Sequence, residues 1–158
     1  MLGIITFIIM IGYLLFQSIE DYKHMQVYVL PNNIVLLFTI GSYLIEKIIT
    51  TGSLLIPLDV IMTVFGIIIL HLFKIYASGD MKALISIFFS LRFVGIPAKS
   101  MEPNLFMFLI FILITNTFFS ITYIYRRIKN KNNKKTRVAY FPYLTIGYIL
   151  TLILFTIL

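Results

Sequence analysis

Cysteine is absent from this chain, which excludes disulfides, thiolate catalysis and cysteine-based zinc sites. Charge is scarce: 12% of residues are Asp, Glu, Lys or Arg, where a soluble domain carries about 25%. The only histidines, His24 and His71, are too far apart in sequence to form a metal-ligand spacing. The N-terminal stretch Met1-Leu2-Gly3-Ile4 lacks a basic n-region and a clean small-x-small cleavage site, so it reads as a retained span and not as a cleaved signal. What is abundant is hydrocarbon. Hydrophobic residues make up 60% of the 158 positions, and the mean hydropathy is +1.01. A single soluble core cannot bury that much apolar surface, so the composition predicts an all-α integral membrane protein.

Apolar runs fall at 2–19, 34–49, 56–75, 81–94, 105–125 and 141–158. A spanning helix needs about 20 residues, and the first, third, fifth and last runs meet that. The second becomes long enough if Pro31–Asn33 supply its first turn, where proline is tolerated. The fourth is short and carries Arg92 near its end, placed to snorkel to an interface. The expected architecture is a polytopic bundle of about six transmembrane helices in a single membrane-embedded domain over 1–158. Five helices, with the fourth run re-entrant, is the alternative.

The net charge of +7 is unevenly spread. Most of it lies in a basic loop at 126–137, which reads as a topology signal and as a surface for anionic lipid headgroups, not as a nucleic-acid site. With six spans, Lys23, Lys74, Lys82 and this loop share one side of the membrane, and only Lys47 and Lys99 lie on the other. The positive-inside bias then predicts a multi-pass plasma-membrane protein with its N-terminus outside and its basic loops in the cytoplasm. The same placement puts Asp21 and Asp80 together on the cytoplasmic side.

A carboxylate near bilayer depth is costly unless it is paired, hydrated or functional. Two paired aspartates can hydrolyse a peptide bond if one is ionised and activates water while the other, protonated, donates to the scissile carbonyl. Like charges held close split their two pKa values, which supplies both states at once. Each aspartate also has a plain structural reading. Asp80 suits the N-terminus of the fourth helix as a cap, and Asp21 suits a solvated interface beside Lys23. Gly79 removes a side chain next to Asp80 and allows a tight turn or a close backbone approach.

Ala77-Ser78-Gly79-Asp80-Met81-Lys82 resembles the Gly-x-Gly-Asp-x-Lys motif of the type IV prepilin peptidases, membrane aspartyl proteases that process pilin-like precursors. Asp21-Tyr22-Lys23 is similar to that family's first catalytic motif, and Val138–Tyr143, with Pro142 and then Gly147, is similar to its apolar-Pro-apolar segment. The three stretches, in this order, cover almost the whole chain. Two departures stand out: Ala77 replaces the first glycine of the motif, and Val27-Tyr28 occupies the usual place of Ile-Pro-Asn, with Pro31-Asn32 following later.

The resemblance implies a short, protease-only form that acts on prepilin-like or pseudopilin-like membrane peptides. Asp21 and Asp80 would be the catalytic pair, supported by Gly79, Lys82, Lys23 and Pro142, with neither a metal nor an organic cofactor. A non-enzymatic transporter subunit or assembly factor, and a protease for another class of membrane peptide, are the alternatives.

Other polar residues carry smaller expectations. Lys82, two positions past Asp80, points to another helix face. It acts on local electrostatics or substrate, or sets topology at the interface, and the same holds for Lys23. Glu20 neighbours Asp21, but the motif register selects Asp21. Gln17, one turn earlier, is placed to hydrogen-bond Asp21. Asp59 reads as a cap of the third helix, and His71 and Asn116 as hydrogen-bonding groups between helices.

Overall fold

The computed structural model describes residues 2–25, 27–52, 55–91, 104–129 and 138–157. Among them are six α-helices: α1 (Leu2–His24), α2 (Val29–Thr51), α3 (Leu58–Leu72), α4 (Ser78–Leu91), α5 (Asn104–Lys129) and α6 (Phe141–Ile157). No strand occurs among the described residues, and the chain is an all-α membrane bundle. Stretches of α1, α2 and α5 (Ile4–His24, Val29–Thr51 and Phe106–Lys129) are long and apolar enough to cross a membrane. The third and last runs are shorter as helices than their apolar length suggested, with 15 residues in α3 and 17 in α6. Arg92, Lys99 and the 130–137 part of the basic loop lie outside the described residues, whereas Arg126, Arg127 and Lys129 continue α5 as its last turn.

The helix with the weakest sequence signal is the centre of the bundle. α4 has 14 residues, about 21 Å of helix, and packs against each of the other five helices. Every residue from Ala83 to Leu91 is buried. All large apolar side chains left exposed among the described residues belong to other parts of the chain. A helix apolar all round is one buried all round, which is why α4 shows no lipid-facing stripe. Its polar members close their own hydrogen bonds: Ser86 Oγ donates to the Lys82 carbonyl at 2.9 Å and Ser90 Oγ to the Ile87 carbonyl at 2.8 Å.

Around α4 the helices meet through Met10 and Leu14 of α1, Phe111 of α5, and Phe141, Leu144 and Tyr148 of α6, all fully buried. α5 and α6 approach closely at Gly147, where an added Cβ would collide with the Thr115 side chain. Small residues at helix crossings allow such contact in membranes, where packing takes over from the hydrophobic drive. The outward faces stay apolar, with Leu37 72% and Ile49 77% exposed, as a lipid-facing surface requires.

α2 begins at Val29, so Pro31 falls in its first turn, as expected. α1 ends through Met25 at φ 51°, whose N–H donates to the Asp21 carbonyl at 2.9 Å. This left-handed residue turns the chain back toward α2.

Candidate active site

Asp21 sits in the last turn of α1 and not after the helix, because α1 continues past the apolar run to His24. Tyr13, Gln17 and Asp21 are spaced four apart, which places them on one helix face, and all three are buried. Here the structure corrects two expectations. Asp21 is not a solvated interfacial residue: it is 7% exposed. Gln17 does not bond to it. The Gln17 Nε2 group donates instead to Asn32 Oδ1 at 2.9 Å and to the Tyr28 carbonyl at 3.0 Å, while its Oε1 accepts the Tyr28 N–H at 3.2 Å.

The partners of Asp21 come from the far end of the sequence. Its Oδ2 accepts the backbone N–H of Tyr140 at 2.8 Å and of Phe141 at 3.0 Å. These are the first donors of α6, which no residue of α6 itself can satisfy. Pro142, the next residue, has no N–H to offer and fits the first turn of a helix. The positive end of a helix favours a negative charge, so this carboxylate caps α6 from a different helix. Asp21 Oδ1 makes no hydrogen bond among the described residues.

Asp80 stands in the first turn of α4, ahead of the apolar part of that helix, and is half-buried. An acidic residue in the first turn suits the positive end of α4. Burial nevertheless pushes the Asp80 pKa up to about 6; the Ala77 backbone opposes this, and the nearby Asp21 charge adds to it. The two aspartates are thus brought to the same end of the bundle, within electrostatic reach of each other.

A buried polar network fixes this end. Asn32, 1% exposed, accepts the Tyr13 hydroxyl at 2.6 Å as well as Gln17, and its Nδ2 donates to the Gly79 carbonyl at 3.3 Å. Gly79 is required here for close approach and not for a left-handed turn. A Cβ on it would lie 2.9 Å from Val27 Cγ1 and 3.2 Å from Asn32 Nδ2. The later position of Pro31-Asn32 therefore brings Asn32 to the carbonyl just before Asp80. Lys82 is not a free interfacial lysine: its ammonium donates to Asn33 Oδ1 at 2.6 Å. Lys23 is exposed at the end of α1, and Glu20 lies 3.8 Å from His24, away from the network.

Sequence reasoning missed Tyr13, Asn32 and Tyr140. The four-residue spacing of polar groups in α1 was a usable signal for the first; the others depend on contacts distant in sequence. Asn116 does bond between elements, accepting the Tyr140 hydroxyl at 3.1 Å. His71 does not: its Nδ1 meets the Tyr76 carbonyl at 2.8 Å, within the turn that leads from α3 to α4. The Asp59 side chain lies outside the described residues, and Pro57 precedes α3 without a side-chain cap. No group of three or more His, Asp or Glu able to hold a metal occurs among the described residues.

Beside this site, α3 and α5 flank α4 and leave an apolar cleft of about 360 Å³. Gly66, Ile67, Leu84, Phe108 and Ile112 line it, and Tyr76 stands in its wall. Tyr76 also packs on Tyr140, ring centroids 5.9 Å apart, so one wall residue of the cleft touches the residue whose N–H holds Asp21.

The fold and this polar end define a helical membrane bundle with two interacting carboxyl groups. Protein-family models, curated proteins and solved structures give no match to the chain.

Proposed function

We propose that the chain is a membrane aspartyl endopeptidase that resembles the type IV prepilin peptidases and removes short basic leaders from prepilin-like precursors. The observation that carries this reading is the pairing of Asp21 and Asp80 at one end of the bundle in unlike surroundings. The charge pattern orients that end toward the cytoplasm, with the N-terminus outside. A basic leader suits a site beside anionic headgroups.

In this reading Asp21 is the base. Its Oδ2 is held by α6, and Oδ1 takes a proton from water as the water oxygen bonds to the scissile carbonyl carbon. Asp80, protonated, gives its proton to the carbonyl oxygen, which relieves the negative charge forming there. When the tetrahedral species collapses, the C–N bond breaks and the proton on Asp21 passes to the leaving nitrogen. The new carboxyl group returns a proton to Asp80. The apolar segment of the substrate docks laterally in the cleft between α3 and α5. Cleavage of co-expressed pilin-like precursors, followed by mass, tests the proposal: the wild type removes the leader and Asp80→Asn at equal abundance does not.

The second reading is a non-enzymatic transporter subunit or assembly factor. Its support is that both aspartates already serve helix starts: Asp21 caps α6, and Asp80 stands in the first turn of α4. Loss of folding, with no separable loss of cleavage, in the aspartate variants would favour it.

A further inference from the structure

Tyr140 touches more parts of the site than either aspartate. Its backbone N–H donates to Asp21 Oδ2 at 2.8 Å. Its hydroxyl donates to Asn116 Oδ1 of α5 at 3.1 Å. Its ring lies against Phe119 of α5, centroids 5.1 Å apart at 86°, and against Tyr76. Tyr76 stands four residues before Asp80, in the turn that leads into α4. A single side chain thus joins the α6 end that holds Asp21 to the turn that leads into Asp80, with α5 as the anchor.

We propose that Tyr140 is a positioning residue for the aspartate pair, and that its hydroxyl, clamped by Asn116 while its ring packs on Tyr76, sets how closely Asp21 and Asp80 approach. This rests on the protease reading for its consequence in catalysis, although the clamp itself does not. The groups facing Asp80 are Asp21 and Tyr13 of α1 and Tyr140 before α6. On α4 itself Lys82 is engaged by Asn33. Burial pushes the Tyr140 phenol well above the usual tyrosine range, with Tyr76 and then Asp80 adding to it. The phenol therefore acts at neutral pH as a hydrogen-bonding group and not as a charge. Loosening the clamp lets Asp21 move away and water approach, and both changes lower the pH at which Asp80 ionises.

Tyr140→Phe is the clean variant, because it keeps the N–H to Asp21 and the ring contacts and removes only the hydroxyl. The full chain in lipid vesicles is titrated by infrared difference spectroscopy, with the Asp80 carboxyl band assigned through Asp80→Asn. The same preparations are assayed for cleavage of a pilin-like precursor. The expected results are a lower Asp80 midpoint in Tyr140→Phe and a fall in kcat on the order of 10²-fold, the scale of an ångström-size misplacement, with KM unchanged. Asn116→Ala reproduces both, and the double variant is no worse than either single, since the pair acts as one unit. An unchanged Asp80 midpoint in Tyr140→Phe overturns the clamp. A shifted midpoint with no cleavage by the wild type retains the clamp and removes the protease reading instead.

Discussion

Asp21, at the end of α1, faces the N-terminus of α6 and Asp80 stands at the N-terminus of α4, yet their surroundings differ in kind. Asp21 is buried and accepts two N–H groups from the start of a helix more than a hundred residues away in sequence. Asp80 is half-buried, stands in the first turn of its own helix, and is pushed up to about 6 by burial. The first is tied into the fold at long range, and the second is set locally. Two carboxyls made unequal by their environments are what acid and base assignments require, and the difference separates what each should do when changed.

The largest expected effect is in pH. If protonated Asp80 is the acid, cleavage should fall about tenfold for each pH unit above about 6. A pH–rate profile of the wild type checks this, and a flat profile from 6 to 8 would break the contrast between the carboxyls. The sign for stability is the same. Because the folded-state pKa is raised, the contribution of Asp80 is fullest below the ordinary carboxyl range and is lost as pH rises through about 6.

The next effect is in folding. Asp21→Ala strands the leading N–H groups of α6 and should cost about 3 kcal/mol, measured as loss of thermal stability in detergent. Gly79→Ala should cost about 2 kcal/mol, because the new methyl meets Val27 and Asn32 at the turn into α4. Asp80→Ala, which breaks no long-range tie, should cost no more than about 1 kcal/mol at neutral pH, where the buried charge of Asp80 is itself unfavourable. Equal losses from the two aspartate variants would remove the distinction between a long-range tie and a locally set group.

Much of the bundle could be read from the sequence because membrane helices announce themselves by length and hydropathy. α4 gave the weakest signal because it is short, at 14 residues too few to span a bilayer by length alone. At the site, the two aspartates and Gly79 were legible as polar or small residues interrupting hydrocarbon. The roles of Tyr140 and Asn32 were not. Tyr140 reaches Asp21 through a backbone N–H, which no side-chain pattern encodes, over a separation of 119 residues. Asn32 was set aside as out of register after Asp21, although its contact is with Gly79, 47 residues further on. Local spacing says what a helix can present, whereas tertiary packing decides which groups it meets.

The most direct test of the paired-carboxyl account is leader removal in membranes, followed by mass, for the wild type, Asp21→Asn and Asp80→Asn at matched abundance. The account predicts cleavage by the wild type and none by either variant, with Asp80→Asn folded as well as the wild type. Cleavage that survives the loss of either carboxyl would contradict it.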